Sequence, residues 1–279
     1  GIIAISAKDL KQLIPYIKNK NSSKEYYLTD IIELAVKEKI LVKTIQPSSI
    51  FEVLGANNPE ELYELKKAHN NISANTLALT GVKFADIDRL DFRGETKIGS
   101  NTFIDVNVIF EGEVNIGKNC FIGAGSIIKD SVIQDGVVVE PNSLIENSLI
   151  GSLCKIGPFA HIGPEAKLES KVEIGNFVEV KRSKIGKNTK AKHLAYIGDG
   201  EIGESVNIGA GTIFVNYDGK KKSKTKVGSG AFIGSNSSLV APLKIGKNSM
   251  IGAGSVVTND VPENKLALGR SRQRNIKRK

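Results

Sequence analysis

The chain has 279 residues, with 39 Lys and Arg against 30 Asp and Glu, a formal charge of +9. That excess points to an anionic ligand, and nucleic acid, a membrane surface or a phosphorylated metabolite would each satisfy it. Two cysteines argue against a disulfide framework or a cysteine-held metal, and no apolar stretch reaches the roughly 18 residues of a spanning helix.

The amino end lacks a basic segment followed by an apolar signal core, so a reducing, cytoplasmic setting is expected. The first residue is Gly1 rather than Met, and the sequence therefore reads as starting inside a longer polypeptide. Residues 10–17 read as helical apart from Pro15. A second helix is predicted over 25–39, with apolar residues at Leu28, Ile31, Ile32, Leu34, Ala35 and Val36. Residues 40–46 read as a short strand ended by Pro47 and Ser48. Asn58, Pro59, Glu60 and Glu61 then open a third helix running towards His69. Composition changes near Thr80: before it the sequence is Gly-poor and helix-favouring, and from about Lys97 to Asp260 Gly and β-branched residues dominate. Two domains are expected, 1–80 and 81–279.

The second region repeats every six residues. Ile98, Ile104, Phe110, Ile116, Ile122 and Ile128 keep that spacing, as do Leu144, Ile150, Ile156, Ile162, Leu168, Ile174 and Val180, and again Val227, Ile233, Leu239, Ile245, Ile251 and Val257. A period of six fits neither an amphipathic helix nor a simple alternating strand. It fits the hexapeptide turn of a parallel β-helix, in which three short strands make a triangular coil and stacked coils bury one apolar column. The phase slips near 132–138 and between Val180 and Ile202, which reads as insertions at corners or irregular coils. The segment 213–219, followed by the lysine-rich 220–226, reads as a loop too polar to continue the column. Lysines and arginines of that run and of the tail 270–279 are read as solvated or phosphate-binding.

Strings outside the plain repeat carry a resemblance. GNFVEVK at 175–181, KHLAYIGD at 192–199, NIGAGT at 207–212, NYDG at 216–219, EYYLTDII at 25–32 and DFRG at 91–94 together resemble the bacterial bifunctional enzymes that acetylate glucosamine 1-phosphate and uridylylate N-acetylglucosamine 1-phosphate. The resemblance implies a left-handed parallel β-helix, preceded by the end of a nucleotidyltransferase-like α/β domain, and a homotrimer with sites between subunits. It implies acetyl transfer from acetyl-coenzyme A to a sugar phosphate, with His193 as catalytic base. An imidazole suits that role because it ordinarily titrates near neutrality and can accept an amine proton during attack on a thioester. Lys181, Tyr196, Asn207 and Lys222 match sugar-phosphate positions. Asn216 and Tyr217 match substrate and acetyl-group contacts, while Ala210, Ser235, Ala253 and Arg270 match acetyl-coenzyme A positions.

Gly163 departs from the family, which usually has an arginine before Pro164; His161 is the nearby candidate to replace its charge. Asn57 matches a magnesium-contact position, but one amide oxygen does not build a magnesium site. Mg2+ is expected only where the uridyltransferase half is supplied, and uridyl transfer is not expected of this chain. Other readings stay open: another hexapeptide acyltransferase, or a non-catalytic β-helix scaffold. A nucleic-acid binder is disfavoured because no recognition motif accompanies the basic tail. A zinc enzyme is disfavoured because His69 lies outside the repeats, leaving only His161 and His193 within them.

Overall fold

A computed structural model describes residues 2–278; Gly1 and Lys279, the ends of the sequence and of its basic tail, lie outside the described residues. The chain divides into two compact units, Gly1–Ala68 and His69–Lys279.

The first unit is helical. Ser6 caps helix α1 (Ala7–Leu13) by accepting from the Asp9 N–H at 3.1 Å, and Pro15 turns the chain into a short 3-10 segment, Ile14–Tyr16. Helix α2 (Ile31–Lys37) starts later than its apolar pattern suggests, because residues Leu28–Asp30 form a 3-10 turn first. Leu13, Ile31 and Ala35 make a small core with Ile5, Leu10, Leu34 and Ile40 packed against it. The strand expected over 40–46 does not form. Leu41 and Ile45 are 79% and 93% exposed, and among the described residues no neighbouring strand completes a ladder with them. Helix α3 (Pro59–Leu79) is entered through Asn58, whose Oδ1 accepts from the Glu61 N–H at 2.9 Å, and it runs well past His69. The two units divide within this helix, after Ala68, whereas the composition change at Thr80 coincides with its end.

The second unit is the expected parallel β-helix. Among the described residues its strands form three parallel sheets of 11, 10 and 9 strands, and each strand inside a sheet pairs with the equivalents one coil before and after. Ile104, Ile122, Ile156, Ile162, Val180 and Ile197 belong to the buried column, each worth about 1.5–3 kcal/mol of burial. Asn70 on the last part of α3 ties that helix to the first coil. Its amide donates to the Leu90 carbonyl and accepts from the Phe92 N–H, both at 3.1 Å.

The phase slips have a definite cause, opposite in sign to the insertion read from sequence. Buried positions run Ile128, Ile133, Val139, Ile145, Ile150, so the step from the second sheet to the third is five residues and the others six. The same shortening recurs at Val180 to Ile185 and at Ile197 to Ile202. Ser131, Ser148 and Ser183 close short corners, their hydroxyls donating two residues back to Lys129, Glu146 and Lys181 at 2.6, 2.7 and 2.8 Å. Leu144, read as an inward position, therefore faces outward, and Ile145 fills the column. A further correction concerns 213–219. Strand Ile213–Val215 continues the second sheet with Phe214 fully buried, and the protruding loop starts only at Asn216, bridging back through Tyr217 and Lys222 before strand Thr225–Val227.

Cys120 and Cys154 are free and buried, as expected; burial raises both thiols, Cys154 to about 11. Among the described residues no helix is long and apolar enough to cross a membrane.

Candidate active site

The corner between the first and second sheets repeats one local conformation. In successive coils Phe177, Leu194, Gly211, Asn236 and Gly254 take positive φ, between 50° and 72°. The residue just before each is Asn176, His193, Ala210, Ser235 and Ala253. Backbone hydrogen bonds Leu194 to Asn176, Asn236 to Ala210 and Gly254 to Ser235, at 2.7 to 3.0 Å, stack these positions along one edge. His193 thus stands in line with three of the small residues matched to the acetyl donor. Arg270 closes the edge: its Cδ lies 4.0 Å from where a Cβ on Gly254 would stand.

His193 ends strand Lys190–His193 and is exposed. Directly opposite in the ladder is Asn176, whose Oδ1 lies 2.7 Å from His193 Nδ1. Lys192 and Lys190 both reach Glu173, at 2.7 and 2.9 Å, and hold its carboxyl below the usual carboxylate range.

A second group lies on the outer face of the second sheet and its far corner. Tyr196 opens strand Tyr196–Gly198, between Glu179 and Ile213 in the ladder. Asn216, almost fully buried, donates to Asp199 and places its amide 3.5 Å from the Tyr196 hydroxyl. Gly198 leaves space for this pair, since a Cβ there would meet the Tyr196 oxygen at 2.5 Å and the Asn216 nitrogen at 2.6 Å and displace both side chains. Arg182 holds Asp199 through Nε and Nη2, at 2.8 and 3.0 Å. Asp199 is kept below the ordinary aspartate range by Arg182 first, then by Asn216 and the charge of Lys222.

Lys181 ends the neighbouring strand Glu179–Lys181, with its ammonium on Glu179. Tyr217 stands on the exposed loop, its hydroxyl donating to the Gly219 carbonyl at 2.7 Å. Asn207 stands on the outer face of the first sheet, paired with Lys190 and Phe232, and outside both groups. Asn57 is in the first unit, its backbone N–H donating to Glu61 at 2.7 Å. Its single amide does not fit a magnesium ion, and among the described residues no three His, Cys, Asp or Glu gather to hold a metal.

His161, the candidate to replace the missing arginine, already has partners at both ring nitrogens. Its Nε2 lies 3.0 Å from Glu146 and its Nδ1 3.6 Å from Glu179, so carboxylates face both ring nitrogens. At Gly163 φ is +142°, and an added Cβ would stand 2.2 Å from the Glu146 carbonyl oxygen. This backbone leaves no room for an arginine stem without moving the adjacent coil.

Sequence reading missed Asn176, Arg182 and Asp199 as site residues. The signal was there: Asn176 to His193, Arg182 to Asp199 and Asp199 to Asn216 are each 17 residues apart, one shortened coil.

Comparison with known proteins agrees with the strings that first suggested the family. Residues 92–162 match the model of the GMPPB C-terminal domain, and 224–259 match the bacterial transferase hexapeptide model of six repeats. The chain is 46% identical over 276 residues to the bifunctional protein GlmU of Marinobacter nauticus, covering 99% of this chain and 61% of that protein. It is 48% identical to the GlmU of Idiomarina loihiensis, covering 99% of this chain and 60% of that protein. The chain spans about three fifths of the length of these curated relatives. A UDP-N-acetylglucosamine acyltransferase structure from Francisella novicida is 17% identical with a TM-score of 0.38, covering 62% of this chain and 67% of that one.

Proposed function

We propose that this chain moves the acetyl group of acetyl-coenzyme A to the amine of glucosamine 1-phosphate, forming N-acetylglucosamine 1-phosphate, with His193 as general base. The edge on which His193 is followed by Ala210, Ser235, Ala253 and Arg270 carries this reading. Coils stack about 4.8 Å apart, so an extended thioester lying along small side chains would bring its carbonyl towards His193. Arg270 would meet the anionic end of the coenzyme.

Asn176 orients the imidazole as a base, because its Oδ1 accepts from Nδ1–H and leaves the Nε2 lone pair for the substrate. Nε2 takes a proton from the amine as nitrogen attacks the thioester carbon. Collapse of the tetrahedral adduct breaks the C–S bond, and the leaving thiolate recovers the proton from the imidazolium. Base catalysis of this kind supplies about 10²–10⁴-fold. Lys181 and Lys222 would bind the phosphate, Tyr196 and Asn216 the sugar and its amine. Asn207, on the adjoining sheet face, would complete a site in a homotrimer. In this reading the β-helix winds left-handed, residues 81–279 form the acetyltransferase domain, residues 1–80 end a nucleotidyltransferase-like domain, and the protein works in the cytoplasm.

Thiol release from acetyl-coenzyme A, with and without glucosamine 1-phosphate, tests the reading. Acceptor-dependent release is expected, and its absence would overturn it. Gly163 favours one second reading, a related acyltransferase whose acceptor lacks a phosphate, and faster turnover with unphosphorylated glucosamine would select it.

A further inference from the structure

The proposed phosphate-binding face holds a guanidinium assigned to no substrate so far. Arg182 follows strand Glu179–Lys181 at φ +45°, and its N–H donates to the Pro164 carbonyl at 2.8 Å. It therefore stacks one coil along from the corner that Gly163 and Pro164 open. Gly163 is itself bonded to Val180 on the same neighbouring coil, at 2.8 Å.

The fork is built rather than loose. Nε and Nη2 grip both oxygens of Asp199, whose side chain is 13% exposed and which Asn216 also bonds. A guanidinium has five N–H donors; Asp199 takes two and Tyr196 faces another, which leaves two for a ligand. The Arg182 side chain keeps 26% of its surface open. Tyr196 lies close enough to favour the charged guanidinium along with Asp199, and Lys222 acts on Asp199 from the loop. Because Asp199 already holds the fork in place, ligand binding freezes few additional rotamers.

We infer that Arg182 is a specificity-determining residue that receives the acceptor's phosphate, together with Lys181 and Lys222, from the coil following Gly163. The inference rests on the acetyl-transfer reading for its substrate, and its chemistry is that of a monophosphate ester meeting a fixed planar fork. Asp199 and Glu179 offset part of the positive charge of Arg182 and Lys181.

The test compares the full chain with Arg182→Gln and Arg182→Lys. Acetyl transfer is measured to glucosamine 1-phosphate and to unphosphorylated glucosamine, and binding of the sugar phosphate by calorimetry. Arg182→Gln is expected to raise KM and Kd for glucosamine 1-phosphate about tenfold or more, which is about 1.4 kcal/mol. Its KM for acetyl-coenzyme A should stay within about twofold, and kcat/KM should fall further for glucosamine 1-phosphate than for glucosamine, because any loosening of Asp199 and Asn216 is common to both acceptors. Arg182→Lys, which keeps charge and loses the fork, should recover part of the affinity.

Equal losses with both acceptors, or an unchanged Kd for the sugar phosphate, would overturn the inference. A wild type that binds the sugar phosphate through Arg182 yet releases no thiol would sink the acetyl-transfer reading and leave Arg182 its phosphate. A wild type that turns over but whose Kd ignores Arg182→Gln would do the reverse. Failure of the wild type to bind the sugar phosphate at all would remove both.

Discussion

His161 and His193 sit on neighbouring parts of one repeating scaffold, and their surroundings give them opposite capacities. His161 stands mid-face between Glu146 and Glu179, with a carboxylate towards each ring nitrogen. His193 stands at a corner, and its ring meets one neutral amide at Nδ1 and no other hydrogen-bond partner among the described residues. A base must keep a lone pair for its substrate, and that requirement is why the proposal places the base at the corner rather than on the face. The lesson is that the coil supplies positions, and the residue one coil away decides what a side chain there can do.

The sharpest way to break this contrast is His193→Ala. Thiol release at saturating substrates should fall about 10²–10⁴-fold, with acetyl-coenzyme A still bound in calorimetry. Turnover that survives the substitution would remove His193 from the chemistry, and with it the distinction between the two histidines.

Asn176→Leu probes the same corner more gently. Losing one orienting hydrogen bond is expected to cost about 1 kcal/mol, or roughly fivefold in kcat, with KM for both substrates nearly unchanged. Nitrogen-15 shifts of the imidazole should move from one dominant tautomer towards a mixture. An unaltered tautomer signal would mean that Asn176 does not orient the ring.

The column was legible because branched residues six apart leave few folds that can bury them. Its phase was only partly legible, because the corners at Ser131, Ser148 and Ser183, whose hydroxyls reach two residues back, take one residue fewer than the corner at Ser143, whose hydroxyl reaches three back. Reading straight through from Ile150 back to Leu144 kept the period but chose the wrong neighbour of Ile145. Phe214 was misjudged for a related reason: polar Asn216 and Tyr217 follow it closely, yet a two- or three-residue strand needs only one inward side chain. Residues 40–46 have strand-like composition, but pairing is non-local and composition does not supply a partner. At the site, matched strings led to the residues that would touch substrate. Asn176, Arg182 and Asp199 hold those residues in place, and they emerge only when the chain is folded back by 17 residues.

Acid unfolding sharpens the comparison at the level of stability. Arg182 and Asn216 lower the pKa of Asp199 on folding from its ordinary 3.8. A carboxyl depressed in this way contributes stability that is fully present above 3.8 and is lost as pH falls through the folded value. Urea midpoints should therefore decline below that point, with a slope from this proton of at most about 1.4 kcal/mol per pH unit. Asp199→Asn should start less stable at neutral pH and show a shallower decline in acid. Parallel curves for the two proteins would mean that the Arg182–Asp199 pair carries no net stability.

His161→Ala should have the smallest effect. Its two partners are half-exposed carboxylates, and Glu179 keeps Lys181 when the ring is removed. Exposed pairs of this kind are worth about 0–1 kcal/mol, so the urea midpoint should barely move, and KM for glucosamine 1-phosphate should stay within about twofold. A tenfold rise in that KM would place a phosphate-binding cation at His161 despite its carboxylates. The imidazole would then have to exchange Glu146 for the substrate on binding, and Arg182 would be left to hold Asp199 alone. Measured side by side, His161→Ala and Arg182→Gln decide which coil replaces the charge that Gly163 lacks.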